Sequence, residues 1–161
     1  MENRRRAPTQ SRALRSAPQR ARRHALIVDD ETDFAELLAV WFRSAGWTVA
    51  VADDGSAALT LLSDRRFDLV VADLQMPGMN GWELLRHLRS PWRNEVALPH
   101  QPTRIVVVSG RTEAEVARFA RTLGADAFLL KPVDRLTLFD TVAALFGPTQ
   151  TPYGRPAGRG L

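Results

Sequence analysis

The chain has 161 residues and a formal net charge of +4, long enough for one domain with its own apolar core. It has no cysteine, which excludes disulfides, iron–sulfur clusters and thiolate zinc sites and fits a reducing compartment. No apolar run reaches the length of a membrane span and the basic start lacks the apolar stretch of a secretory signal, so a cytoplasmic protein with no membrane partner is expected.

The charge is unevenly spread along the chain. Residues 1–24 hold eight arginines against the single Glu2, whereas residues 25–147 hold twelve basic and seventeen acidic side chains. A stretch with so few apolar residues cannot bury enough surface to offset its ordering, so residues 1–24 are expected to be a disordered basic tail. The domain proper then runs over 25–147, starting with the strand "ALIVD" (25–29). A helix over about 32–45 follows, with Phe34, Leu37, Leu38, Trp41 and Ala45 on one stripe and Gly46 as its stop. "TVAVA" (48–52) is the second strand, and a second helix runs from about Ser56 to Asp64. "DLVVA" (68–72) precedes a helix that starts near Asn80, with Glu83 at capping-box spacing, and ends before Pro91.

"RIVVVS" (104–109) is the fourth strand. Thr112 and Glu115 repeat the capping signal for a fourth helix, which should turn Val116, Phe119, Ala120 and Leu123 inward before Gly124 ends it. "AFLL" (127–130) is the fifth strand, and Asp134 caps a last helix with Leu136, Phe139, Ala143 and Phe146 on its apolar side. Residues 148–161, rich in Gly and Pro, are expected to be a disordered tail. Five strand–helix units in strict alternation predict an α/β fold: a doubly wound, five-stranded parallel sheet of flavodoxin-like order 2-1-3-4-5, with helices on both faces. In such sheets ligands bind beyond the carboxyl ends of the strands, at the switch point between the first and third.

The residues at those ends carry chemistry. They are Asp29 and Asp30 after the first strand, Asp73 after the third, Ser109 ending the fourth and Lys131 after the fifth. Lys131 is the only lysine beside twenty-one arginines, which singles out its position as one where a guanidinium would not serve. Three carboxylates in one crevice repel one another, a conflict that a hard divalent ion such as Mg2+ resolves through oxygen ligands. Taken singly, each Asp reads as a helix cap, the Ser as a turn residue and the Lys as an exposed cation. Four of the five strand ends contributing an acid, hydroxyl or amine to one crevice is hard to ascribe to capping.

The stretches "LIVDDE", "VVADLQMPGMNGWELL", "VVVSG" and "GADAFLLKPV" resemble, in order and across residues 25–147, the motifs of the receiver domain of two-component response regulators. The resemblance implies that Asp73 is the phosphoacceptor for a sensor histidine kinase or histidine phosphotransfer protein. It also implies that Asp30 and Asp73 bind Mg2+ with the backbone carbonyl of Gln75, that Asp29 acts mainly through metal-bound water, and that Ser109 and Lys131 contact the phosphoryl oxygens. Ser109 and Phe128 stand at the switch positions, Gln75 and Arg111 at the positions that influence phosphoryl lifetime, and a Lys131–Pro132 cis bond is implied. Gly110 lacks a side chain, so its N–H can approach the phosphoryl group closely. The protein is expected to be a stand-alone switch with no fused DNA-binding domain, acting on a downstream protein through the face formed by the fourth helix, fifth strand and fifth helix.

The interval between Asp73 and Ser109 is longer than is usual in the family; the excess, residues 90–103 with Trp92, is expected to be a tolerated loop or a partner contact. Two other functions compete. A Mg2+-dependent aspartyl phosphohydrolase would need an acid/base two residues after its nucleophile, where this chain has Gln75. Nucleic-acid binding through the arginine-rich tail is the other, though the tail lacks interleaved aromatics.

Overall fold

The computed structural model describes residues 22–90, 103–112 and 114–147. The expected tails therefore lie almost wholly outside the described residues, and so does most of the 90–103 loop with Trp92. The elements alternate as β1 (His24–Val28), α1 (Thr32–Ser44), β2 (Thr48–Ala52), α2 (Gly55–Asp64), β3 (Leu69–Ala72), α3 (Gly81–Arg89), β4 (Arg104–Ser109), α4 (Ala114–Thr122), β5 (Ala127–Leu130) and α5 (Arg135–Phe146). The strands form one parallel sheet in the order β2-β1-β3-β4-β5, as the alternation predicts. β1 starts one residue earlier than expected, because His24 pairs with Thr48 and donates its N–H to the Asp68 carboxylate at 2.7 Å.

Side-chain alternation along the central strands divides the core between the two faces of the sheet. Ala25 and Ile27 of β1, Leu69 and Val71 of β3, and Val106 and Val108 of β4 pack beneath α1 and α5. Leu26, Val28, Val70 and Ala72 face α2 and α3, while Ile105 and Val107 lie under α3 and α4. The central strands are almost fully buried and read as continuous apolar runs, whereas the edge strands β2 and β5 are partly exposed.

Two helical stripes are rotated from their expected positions, and a third departs at one residue. In α1 the sheet receives Ala35, Leu38, Ala39 and Phe42, while Leu37 is 44% exposed and Phe34, Trp41 and Ala45 flank the core. The alanines allow the helix axis a close approach, and Phe42 fills the space beyond them, its ring 5.4 Å from that of Trp47 and 5.0 Å from that of Phe139. In α4 Ala120 is buried and Val116 and Leu123 pack against the same cluster, as expected, while Phe119 stays largely exposed, its ring 5.2 Å from that of Trp82 on α3. In α5 Leu138 and Val142 enter the core and Leu136 points outward. A helix with apolar residues on more than one side has no unique stripe until the sheet's own side chains select one.

The caps match expectation where they are described. Asn80 and Glu83 form a reciprocal capping box on α3, and Asp134 accepts the Thr137 N–H at the start of α5. Among the described residues no helix is long and apolar enough to cross a membrane.

Candidate functional site

The site is built by extending the sheet's hydrogen-bond ladder one residue past each strand. The N–H of Asp29 donates to the Ala52 carbonyl at 3.1 Å, that of Asp73 to the Val28 carbonyl at 2.9 Å, and that of Lys131 to the Ser109 carbonyl at 2.9 Å. Three chemically active residues thus leave the sheet from backbone positions fixed by their neighbours, and their side chains meet over the carboxyl ends of β1, β3 and β5.

Lys131 is the hub of the cluster. Its Nζ donates to Asp29 Oδ2 at 2.8 Å and to Asp73 Oδ2 at 2.9 Å. Two short charge-assisted bonds from one point of charge are what a compact ammonium can make and a planar guanidinium cannot easily reproduce. Each carboxylate is also oriented from behind by its own loop: Asp29 Oδ1 accepts the Glu31 N–H at 2.9 Å, and Asp73 Oδ1 accepts the Gln75 N–H at 3.1 Å.

Asp29, Asp30 and Asp73 each offer an oxygen, and these oxygens lie within 4.8 Å of one another. Asp29 and Asp73 are buried, while Asp30 stands at the solvent edge. The set is all-oxygen and open on one side, which fits a hard divalent ion that keeps part of its water shell. Burial pushes the Asp29 carboxyl above its ordinary range, against the pull of Lys131. Burial by itself would lower the Lys131 ammonium, but its bonds to Asp29 and Asp73 outweigh that and raise it, so the amine is firmly cationic.

The other expected site residues surround this centre. Ser109 is fully buried at the end of β4, and its Oγ accepts the Arg111 N–H at 3.3 Å. Gln75 and Arg111 are exposed on the loops that flank Asp73 and Ser109. A side chain at Gly110 would meet nothing within 4 Å. Phe128 is partly buried against the cluster of Leu74, Leu85, Ile105 and Ala120. The Lys131–Pro132 bond is cis.

Sequence reasoning missed two contributors. Phe34, expected only as a stripe residue of α1, lies beneath the amine, with Lys131 Nζ 4.5 Å from its ring centroid. Gly81, at the start of α3, has no room for a side chain: a Cβ there would overlap the Asp73 carbonyl and approach Leu74 Cα to 2.7 Å. The available signal for Gly81 was a glycine directly behind a helix cap, a place where a poor helix former needs a packing reason.

Comparison with known proteins places the chain in a family and matches its fold. The model of the response regulator receiver domain matches residues 25–143. The DNA-binding response regulator MtrA of Mycolicibacterium smegmatis is 37% identical over 111 residues, 69% of this chain and 45% of the relative, so the chain spans under half the length of that protein. Among solved structures, the chemotaxis response regulator CheY4 of Vibrio cholerae superposes with a TM-score of 0.68 at 27% identity, covering 78% of this chain and 99% of that one. The CheX–CheY–BeF3–Mg2+ complex of Borrelia burgdorferi gives a TM-score of 0.67 at 26% identity, with 78% and 90% covered.

Proposed function

Since this chain belongs to the response regulator receiver domain family of two-component signalling, we propose that it is a phosphorylation-controlled switch whose acceptor is Asp73, loaded from a phosphohistidine of a sensor kinase or phosphotransfer protein. The observation that carries this reading is the pair of 2.8 and 2.9 Å bonds by which Lys131 joins Asp29 and Asp73.

In the reaction an Asp73 carboxylate oxygen attacks phosphorus as the bond to the histidine nitrogen breaks, leaving an aspartyl phosphate. The protein's contribution is alignment and charge neutralisation, since phosphoryl transfer asks for little else. Asp73 is held for attack by the Gln75 N–H on one oxygen and Lys131 on the other. Lys131 turns from the carboxylate to the incoming phosphoryl oxygen, and the Ser109 hydroxyl, whose oxygen accepts the Arg111 N–H, donates its own proton to a second one. Asp30 and Asp73, with Asp29 through water and the Gln75 carbonyl, would hold Mg2+, which supplies positive charge to the phosphoryl oxygens when bound; the Borrelia relative carries Mg2+ together with beryllofluoride. Gln75 and Arg111, at the rim, set the access of hydrolytic water and so the phosphoryl lifetime. Movement of Ser109, Lys131 and Phe128 then carries the change to the face of α4, β5 and α5, where a downstream protein docks. The whole cycle belongs in the cytoplasm, where kinases present phosphohistidine.

The test is incubation with acetyl phosphate and Mg2+ followed by intact mass measurement. A phosphoryl adduct is expected on the wild type and none on Asp73→Asn; an adduct undiminished in the variant overturns the assignment.

A further inference from the structure

We propose that Phe34 is a positioning residue for phosphoryl transfer, its ring face setting where the Lys131 ammonium stands; this rests on the receiver reading above. An ammonium has three N–H donors. Two of those of Lys131 are taken by Asp29 and Asp73, and the amine lies 4.5 Å from the centroid of the Phe34 ring, within cation–π range. The ring therefore takes a side of the charge that water would otherwise occupy. The lysine side chain is only 18% exposed, and an attraction of this kind strengthens as water is removed.

Phe34 is itself held in place. It sits in the first turn of α1, two residues from the helix start, and packs against the core cluster that includes Ala35, Leu38 and Phe42. The ring is thus anchored to the sheet independently of the carboxylates. That independence matters during transfer. When an oxygen of Asp73 becomes bonded to phosphorus, the lysine loses one of its two anionic partners, and an amine held by carboxylates alone would be free to follow whichever remained. A ring that does not change in the reaction keeps the charge over the place where the phosphoryl oxygens arrive. Positioning paid in advance in this way lowers the barrier rather than strengthening ground-state binding.

Because Lys131 is the only lysine, lysine-selective 13C and 15N labelling reports its side chain without overlap. In the unphosphorylated wild type, the ε-methylene protons are expected to be displaced upfield by the ring, with that displacement lost in Phe34→Leu and restored in Phe34→Tyr. The rate of adduct formation from acetyl phosphate is expected to fall about fivefold in Phe34→Leu, with Phe34→Tyr rescuing it to within about twofold of wild type. Wild-type lysine shifts in Phe34→Leu overturn the contact, and a wild-type rate in Phe34→Leu overturns its role in transfer. Equal slowing in the Leu and Tyr variants also overturns it, since packing and not the ring face would then be at fault. If the wild type forms no adduct on Asp73 the receiver reading fails, while the lysine shifts still decide whether the ring holds the amine. Amide spectra of α1 confirm that each variant is folded.

Discussion

Asp29 sits buried in the acidic cluster at a cost to its own ionisation. Its burial raises the carboxyl pKa despite the salt bridge to Lys131. A carboxyl with a raised folded-state pKa favours the fold below its ordinary titration range, and that contribution is lost as pH climbs through the range toward the raised value. At neutral pH without divalent ion, Asp29 is therefore a net burden. Asp29→Asn is expected to raise the thermal midpoint by a few degrees in the presence of a chelator, because the amide keeps the acceptor for the Glu31 N–H and removes the buried charge. The same variant is expected to show a smaller gain in midpoint than wild type when Mg2+ is added, since one carboxylate of the cluster is gone. Parallel melts with chelator and with Mg2+ check both; a lower midpoint for the variant in chelator would show that the lysine bond outweighs the burial.

At the scale of elements, the reactive side chains depend on how one strand hands over to the next helix. The turn after β3 carries Asp73 outward and then brings Leu74 and Gly81 against it, the Gly81 N–H donating to the Leu74 carbonyl at 3.2 Å. The start of α3 thus braces the backbone of Asp73, and the brace works only if residue 81 has no side chain. Gly81→Ala is expected to cost about 1–3 kcal/mol in denaturant melts, the range for forcing a methyl into packed space, and to slow adduct formation at Asp73 by shifting its carbonyl. Gly110→Ala, into open space, is expected to leave the melt unchanged. A second connection lies at the opposite end of the sheet. Arg89, the last residue of α3, donates to the Gly124 carbonyl at 2.8 Å, the Thr103 carbonyl at 3.1 Å and the Asp126 carboxylate at 2.7 Å. That clasp joins α3 to the base of β4 and to the turn before β5, so the described residues on either side of the long loop are tied together.

Over the whole molecule, the residue that precedes β1 and the end of α5 close on one another. The Arg23 guanidinium lies 4.6 Å from the Phe146 ring centroid and 5.7 Å from that of Trp47, and those two rings are 5.6 Å apart. Arg23, ahead of the first apolar residue, is therefore part of the packed domain. A chain beginning at Ala25 is expected to be less stable than one beginning at Arg22, because it loses this contact, worth about 1 kcal/mol, together with the His24 pairing to Thr48 and its bond to Asp68; thermal melts of the two truncations check it. The sheet order was legible in the sequence because five apolar runs separated by amphipathic segments, joined by right-handed crossovers, leave few arrangements. The acids, hydroxyl and amine of the site were legible for a related reason, since each immediately follows or ends a strand and the strand ends of such a sheet converge. Which groups bond, and which helix faces are buried, was decided only by tertiary structure. Lys131 and Asp29 are 102 residues apart, and no local periodicity reports that the amine reaches both buried carboxylates or that Phe34 lies beneath it. The stripes of α1 and α5 rotated for the same reason: a helix that is apolar on several sides takes its inward face from the shape of the sheet it meets, and that shape is assembled from strands far away in the chain.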